Sequence, residues 1–282
     1  MAFSCGLYPR TGFSDAAGPV RFIARARFLS ARLAVGACVA ALLLLTGCGR
    51  AEASEAKGGA TPLKVGTFVL PPWGWVDQDG SPHGIIYELH QNIAERTGLP
   101  FTHGMYPFVR LSEMLRYGEL DFISGQPHKS LLEAGEKLVL LHTINIIAVT
   151  KKGSGIQTLR DLKGKTVVYQ RVASYPQLEG LPGNIVRVDS YEQSIQILHA
   201  RSGVDAAVFS EPSFYYFMRM LGLKRADFGD IVTIERNRED WVFVRRGLPA
   251  TVRAALKTAV EGATRDGVYE KLLLKYCGVI EK

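Results

Sequence analysis

Cysteine is scarce in this chain of 282 residues, and its four cysteines are unevenly placed. Cys5, Cys38 and Cys48 fall in the first 48 residues, whereas Cys277 stands alone near the other end. We predict below that the N-terminal segment is removed and that Cys48 is modified. No second thiol then remains to pair with Cys277, which excludes an internal disulfide. An apolar helical pattern ending at Tyr276 predicts that Cys277 is a buried, unreactive side chain.

The sequence also lacks the clusters that bind metals or nucleic acids. Its six histidines are scattered, without the paired His, Cys or Asp spacing of a metal site. The first 47 residues hold five arginines and one acid, which leaves 29 basic and 26 acidic residues, a net +3, from residue 48 onward. No run of Lys and Arg in that part would track a phosphate backbone. We therefore expect neither a cofactor nor a nucleic-acid partner.

One long apolar run is present, from Leu33 to Leu45 (LAVGACVAALLLL), after four arginines. It is shorter than the roughly 20 residues of a membrane-spanning helix and typical of a signal peptide. Leu45-Thr46-Gly47-Cys48 resembles a bacterial lipobox, in which the cysteine receives a lipid. We predict a lipoprotein signal peptide over 1–47, lipid attachment at Cys48 and a flexible tether over 48–61. An ordinary signal peptide that ends near a cysteine is the alternative.

From Leu63 onward, short strand patterns alternate with helical patterns. Strands predicted at 63–67, from Phe101 and at 120–123, with helices between them, indicate a parallel sheet covered by helices. The β-prone segment 138–150 is long for one strand, so we expect it to leave one lobe and enter another. A second α/β series then begins. It has a predicted capping box at Thr158 and Asp161, a late strand at 241–244 and two C-terminal helices.

Five short motifs occur in order along this body. They are Val65-Gly66-Thr67 followed by Pro71-Pro72, then Gly118–Gly125 (GELDFISG), Lys152–Lys165 (KGSGIQTLRDLKGK), Gly203–Val208 (GVDAAV) and Asp266–Lys271 (DGVYEK). Together, over roughly residues 62–278, they resemble the bacterial extracellular solute-binding proteins of family 3, the polar amino-acid-binding type.

The resemblance implies an α/β fold: a two-lobed periplasmic-binding-protein fold of type II. Each lobe is a mainly parallel sheet flanked by helices, and the ligand cleft lies between the lobes. Residues 62–145 and 242–282 are expected to form lobe 1, and residues 146–241 lobe 2. Helix N-termini facing the cleft offer unpaired N–H groups to a ligand, and hinge closure is the expected motion.

The chain departs from the family at the residues that hold an amino acid. Family members carry an Arg after the SG stretch, because a guanidinium clamps a carboxylate with two hydrogen bonds. Here the stretch Gly125–Glu133 (GQPHKSLLE) contains no Arg. The family's Asp for the ammonium group is replaced by Ser210, and another common Asp by Phe68. We therefore expect a small polar ligand that is not a standard α-amino acid.

The same resemblance places eight candidate ligand-binding residues on loops that face the cleft: Trp73, Trp75, Ser124, Gln126, His128, Arg171, Ser210 and Glu211. An aromatic ring can stack on a ligand, Arg171 suits an anionic group, and Glu211 suits a cationic or hydroxylated one. Structural alternatives are core packing for the tryptophans, a surface salt bridge for Arg171 and a favourable first-turn position for Glu211.

These expectations combine into a monomeric receptor at the periplasmic face or cell surface, anchored to the membrane by its N-terminal lipid. It would capture a small molecule and deliver it to an ABC transporter permease. Since no residue pair has a spacing that demands catalysis, we expect no enzymatic activity. One rival is a sensory or interaction module for a separate signalling partner. The other is an enzyme like the cyclohexadienyl dehydratases of this fold, with Glu211 or His128 as the acid.

Overall fold

The computed structural model describes residues 61–171, 173–200 and 203–280. The predicted signal peptide, Cys48 and nearly all of the predicted tether lie outside these residues. The described residues belong to one compact unit. Among them, no helix has both the length and the apolar character needed to cross a membrane.

Strands and helices alternate along this body. The strands are β1 Leu63–Phe68, β2 Trp75–Val76, β3 Pro82–His83, β4 Phe101–Tyr106, β5 Phe122–Gly125, β6 Gly135–Lys151, β7 Thr166–Gln170, β8 Asn184–Val188, β9 Ala206–Ser210 and β10 Phe228–Arg245. The helices are α1 Ile85–Thr97, α2 Phe108–Arg116, α3 Lys129–Ala134, α4 Tyr191–Ala200, α5 Glu211–Met220, α6 Ala250–Arg265 and α7 Val268–Cys277.

Local sequence signals set several of these boundaries. Gly98 follows α1 with φ of 64°, a left-handed conformation that glycine adopts at little cost. The predicted capping box is confirmed, since the carboxylate of Asp161 accepts from the backbone N–H of Thr158 at 2.8 Å and the reciprocal bond is present. Pro212 occupies the first turn of α5, where its missing N–H is not needed.

Eight strands form one sheet in the order β4-β1-β5-β10-β6-β9-β7-β8. Strand β1 pairs in parallel with β4 and β5, and β7 pairs in parallel with β8 and β9. We call β4, β1 and β5 the first half of the sheet, and β9, β7 and β8 the second half. The result is a mixed α/β fold with flanking helices, as the sequence predicts.

Strands β6 and β10, which we call the crossing strands, join the two halves. They are 17 and 18 residues long and pair antiparallel along almost their whole length. Strand β10 also pairs with β5 through residues 241–244, whereas β6 pairs with β9 through residues 146–150. The segment predicted at 138–150 lies within a single long strand, β6. The strand predicted at 241–244 is only the end of β10, because the polar stretch before it also pairs with β6.

The core continues through the crossing strands. Ile147, Ala148 and Val149 of β6 are each at most 1% exposed, which is typical of a strand covered on both faces. Cys277, the last residue of α7, is buried as predicted, and this burial raises the pKa of its thiol to about 12.

Candidate functional site on the crossing strands

A line of polar side chains on the crossing strands connects the two halves of the sheet. Gln177, in the second half, donates from Nε2 to Glu235 Oε2 at 3.0 Å. Arg238 donates from Nη2 to the same oxygen at 2.5 Å, and its Nη1 lies 3.5 Å from Oε1 of Gln126, just beyond β5. The side chain of Gln126 also acts on Asp240, whose pKa it lowers. We call these five residues the polar relay.

Strand geometry explains why charged residues of the relay are partly buried. Successive side chains of a strand point to opposite faces, so Arg238 and Asp240, which pair regularly with Ile144 and His142 of β6, share one face of β10. The side chain of Arg238 is 19% exposed, and its guanidinium lies 5.4 Å from the ring centroid of Tyr175 in the second half. The hydrogen bond from Arg238 lowers the pKa of Glu235. Glu235 and Arg238 are therefore a charge-neutral pair between the halves.

Asp240 lies at the buried end of the relay, only 7% exposed. Burial raises the pKa of its carboxyl to about 7, although Arg238 and Gln126 act in the opposite direction. Its partner on β6 is His142, whose Nδ1 lies 3.7 Å from Asp240 Oδ2. Burial lowers the pKa of His142 to about 3, so the imidazole is neutral at pH 7 and supplies no positive charge.

Aromatic rings enclose His142. The imidazole is stacked between the rings of Trp73 and Tyr269, with centroids 5.7 Å and 4.0 Å away and interplanar angles of 4°. Both ring nitrogens of His142 and the hydroxyl of Tyr269 are buried without a hydrogen-bond partner among the described residues. A buried polar group left unpaired costs about 1–3 kcal/mol. This corner therefore favours a bound group that can hydrogen-bond to it.

Glu211, at the start of α5, approaches the crossing strands from the second half. Its Oε2 accepts from Nδ2 of Asn145 on β6 at 2.9 Å. The Oδ1 of Asn145 accepts from the backbone N–H of Asn237 on β10 at 3.2 Å. Glu211 is thus held beside the relay. The preceding residue, Ser210, is 3% exposed and donates its hydroxyl to Ser213 at 2.6 Å, inside the first turn of α5.

The two tryptophans lie in different surroundings. Trp73 is 5% exposed and forms one wall around His142. Trp75, on β2, is only half-buried, and its ring centroid lies 5.8 Å from that of Tyr216 on α5 and 5.3 Å from that of Tyr276 on α7. Its indole N–H donates to Asp77 at 2.8 Å. Trp75 therefore connects the β2–β3 hairpin with α5.

Ser124 belongs to a buried polar network in the first half of the sheet. Its hydroxyl is 2.7 Å from Nε2 of His90 on α1, and Nδ1 of His90 is 3.1 Å from the hydroxyl of Thr67. Thr67 in turn lies 2.7 Å from Nε2 of His103. The hydroxyl of Ser124 is therefore already hydrogen-bonded to His90 within the first half of the sheet.

The remaining two candidates lie away from the relay's contacts. His128 precedes α3, with its Nδ1 2.8 Å from the hydroxyl of Ser130 and its ring 5.2 Å from that of Phe108. Partial burial lowers the pKa of His128. The side chain of Arg171 is 65% exposed and pairs with Asp189 at 3.1 Å. Of the eight candidates, Gln126 and Glu211 contact the crossing strands through polar side-chain groups and Trp73 through its ring, whereas Ser124 and Ser210 pair with them through the backbone.

Sequence reasoning missed most of the relay. The eight candidates do not include four residues of the relay, Gln177, Glu235, Arg238 and Asp240, or the neighbouring His142 and Asn145. Glu235, Arg238 and Asp240 belong to the stretch ERNRED, whose composition is typical of a solvated loop. One signal was available: the alternation of Val244 and Val242 continues backwards through Asp240 and Arg238. In the described part of the chain, no group of three or more His, Cys, Asp or Glu side chains is arranged to hold a metal ion.

Known proteins resemble the chain in both sequence and structure. Arginine-binding extracellular protein ArtP of Bacillus subtilis (strain 168) is 32% identical over 141 residues, which cover 49% of this chain and 54% of ArtP. This alignment spans about half the length of that relative. The substrate-binding protein of an amino acid ABC transporter has a TM-score of 0.59 at 18% identity, covering 77% of this chain and 99% of that one.

A histidine kinase sensor domain with similarity to periplasmic binding proteins also matches, with a TM-score of 0.59 at 23% identity. That match covers 79% of this chain and 99% of the sensor domain. At such identities the two structures establish the fold alone. The family model for bacterial extracellular solute-binding proteins, family 3, matches residues 63–279, from β1 to just beyond α7. The chain therefore belongs to the bacterial extracellular solute-binding proteins of family 3.

Proposed function

We propose that the protein is a lipid-anchored receptor at the periplasmic face or cell surface that binds a small polar molecule and delivers it to an ABC-type importer. In this proposal Cys48 carries the lipid, and the ligand binds between lobe 1 (62–145 and 242–282) and lobe 2 (146–241). The family is extracellular and solute-binding by its description, and one similar structure is the substrate-binding protein of an amino acid ABC transporter. Capture, rather than catalysis, is the activity.

One observation carries the proposal: the polar relay joins the two halves of the sheet through side chains of β10. Gln126 lies on the first half and Gln177 on the second, and both contact the pair formed by Glu235 and Arg238. A molecule that hydrogen-bonds to these groups contacts both lobes at once. Its binding energy therefore favours the closed arrangement, since a ligand shifts an equilibrium by its differential affinity for the two states.

The proposed ligand differs from a standard α-amino acid, although ArtP is named for arginine. The stretch after β5 contains no Arg. The guanidinium that does reach this region, that of Arg238, is engaged by Glu235 at 2.5 Å. A ligand carboxylate would have to displace that pair. Gln126 and Glu211 are our first choices among the sequence candidates for ligand contact, followed by Trp75. Trp73, Ser124, His128, Arg171 and Ser210 are proposed to support the site through their own contacts.

A thermal-shift screen of the compact body from residue 62 onward tests the proposal. The panel contains amino acids, amines, organic acids, nucleosides and sugars. A ligand present at about 100 times its dissociation constant adds about 2.7 kcal/mol of stability. We expect a saturable rise in Tm with one compound class and a smaller rise in Gln126→Ala. A folded protein that responds to no compound would refute the proposal.

A sensory role is the second candidate, and the fold shared with the histidine kinase sensor domain favours it. Both roles require ligand binding, so the screen does not separate them. Cross-linking of the membrane-bound protein in cells, with and without ligand, separates them by the class of partner captured. A transporter permease supports delivery, whereas a membrane kinase supports sensing.

A further inference from the structure

In and beside the polar relay, three carboxylates lie near the guanidinium of Arg238. They are Glu211, Glu235 and Asp240, and Arg238 is paired with Glu235 at 2.5 Å. Glu211 accepts from the neutral amide of Asn145, and the basic group beside Asp240 is His142. The ion pairs of the described residues thus leave two carboxylates, Glu211 and Asp240, without a Lys or Arg partner.

Asp240 is surrounded by polar groups that lack hydrogen-bond partners. A buried carboxylate is costly unless a cation or several hydrogen bonds compensate it. The titratable and charged groups that face Asp240 are His142 from β6, Tyr269 from α7 and Arg238 from its own strand. A neutral imidazole has one acceptor nitrogen and one N–H donor, a phenol both accepts and donates, and both groups are unpaired here. The three N–H donors of an ammonium group can reach the carboxylate of Asp240, the acceptor nitrogen of His142 and the oxygen of Tyr269.

The stacked rings favour the same kind of ligand. Trp73 and Tyr269 enclose His142, and a cation near the faces of such rings is attracted by their negative charge distribution. A ligand carboxylate, in contrast, would lie near Glu211 and Asp240, and neither of these has a Lys or Arg partner in the described part of the chain. Its repulsion grows as water is excluded, because the effective dielectric constant falls.

We infer that the ligand of this cleft is an organic cation, an amine without a carboxylate, whose positive charges are received by Asp240 and Glu211. The inference rests on the proposed function and names the chemical class of its ligand. Asp240 is paired with position 142 of β6, and Glu211 contacts position 145. Positions 142 and 145 are three residues apart, so their side chains leave opposite faces of β6. Both carboxylates lie within electrostatic reach of one hydroxyl, that of Tyr269: burial raises its pKa, and the charges of Asp240 and Glu211 add to that shift. A linear diamine or triamine that passes this hydroxyl offers one ammonium group to each carboxylate.

Titration calorimetry on the body from residue 62 tests the inference with four probes. Putrescine and spermidine are amines without a carboxylate, glutarate is a dicarboxylate without an amine, and L-glutamine is a zwitterion. Asp240→Asn and Glu211→Gln each remove one charge with little change in shape. Glu239→Gln is the matched control, because Glu239 lies on the same strand but is exposed and bonds to Trp241.

We expect one of the amines to bind with 1:1 stoichiometry, glutarate not to bind, and the zwitterion to bind more weakly than the amine. Losing a charge-assisted contact in a partly buried site should reduce amine affinity about tenfold or more in Asp240→Asn and Glu211→Gln, but leave it unchanged in Glu239→Gln. The Tm of each ligand-free variant verifies that it is folded.

The contrary outcomes are distinct. Binding of glutarate or L-glutamine in preference to both amines would overturn the inference and leave the receptor proposal standing. Amine binding that survives both Asp240→Asn and Glu211→Gln would overturn the assignment of the two carboxylates. A folded protein that binds none of the four probes would overturn the inference. If the thermal-shift screen also gave no rise in Tm with any compound, the receptor proposal would be overturned.

Discussion

Acid should destabilise this protein through two histidines in the first half of the sheet. His90 is 0% exposed, and its ring nitrogens are 2.7 Å and 3.1 Å from the hydroxyls of Ser124 and Thr67. Burial, and then the neighbouring His103, hold the pKa of His90 well below its usual value. Burial lowers the pKa of His103 to about 3. Near pH 6 the folded chain therefore keeps both rings neutral.

The sign of the effect follows from proton binding in the two states. An unfolded histidine titrates near pH 6.5, so below that pH the unfolded chain binds protons that the folded chain does not. The stability contributed by the neutral rings is fully present above about pH 6.5 and is lost as the pH falls. Between pH 7.5 and pH 5.5 each histidine lowers the free energy of unfolding by about 1.4 kcal/mol, so the pair lowers it by about 3 kcal/mol.

The buried pair on the crossing strands changes this figure little. His142 has the same sign as His90, because its folded pKa is lowered to about 3. Asp240 has the opposite sign: its folded pKa is raised to about 7, so its proton stabilises the folded state as the pH falls through 7. Each of the two contributes about 1–2 kcal/mol over this range, and they largely cancel. The net loss therefore reports mainly on His90 and His103, with a smaller contribution of the same sign from His128, whose pKa partial burial also lowers.

Urea denaturation at pH 7.5, 6.5 and 5.5 measures the loss directly. We expect the free energy of unfolding to fall by about 3 kcal/mol across this range, and by about half as much in His103→Asn. The comparison concerns the change with pH, so any constant destabilisation by the substitution does not matter. His199→Asn is the control, because His199 is exposed. A parent protein equally stable at all three pH values, or a His103→Asn variant with the parent's pH dependence, would refute the reasoning.

Three further outcomes follow from single residues. Cys48→Ser should move the protein from the membrane fraction to the soluble fraction of expressing cells; retention in the membrane would argue against lipidation. Cys277 should resist iodoacetamide at pH 8 in the folded protein and react in urea, because burial raises the pKa of its thiol to about 12; rapid labelling without urea would contradict the buried position. Ile147→Ala should lower the free energy of unfolding by about 2–5 kcal/mol, since this side chain is 1% exposed between packed layers. Val109→Ala, at a position 72% exposed, is the control and should change stability by less than about 0.5 kcal/mol.

The parts of the fold that the sequence predicts are those governed by local physics. Gly98 ends α1 because a glycine enters the left-handed conformation at little cost, and Thr158 with Asp161 fixes the start of a turn through reciprocal hydrogen bonds. The apolar segment 138–150 predicts a long strand because few other structures bury so many β-branched residues. Each of these signals lies within a few residues of the feature it determines.

The first part of β10 was missed because its stability comes from elsewhere in the chain. Residues 228–240 are rich in charged side chains, and they form a strand because β6 provides the hydrogen-bonding edge. Asn237 has a φ of 52°, and register shifts interrupt the pairing around it. Strand preference is a weak guide when the partner strand decides the outcome. The two residues that matter most for the relay, Arg238 and Asp240, lie in this stretch.

Two features together limit the class of ligand: the absence of an Arg after β5 that would bind a ligand carboxylate, and the buried carboxyl of Asp240. The resemblance to family 3 shows that an Arg is lost after β5, but a loss does not reveal which ligand group replaces the carboxylate. The contribution of Asp240 can be recognised only from the folded structure. The free-energy cost of ionising this carboxyl depends on its burial, on the neutral His142 beside it and on the pairing of Arg238 with Glu235. Restoring a carboxylate ligand would require an additional cation near the relay. Asp240 can become neutral by taking a proton, because burial raises its pKa to about 7, whereas a bound organic cation would stabilise its ionised form.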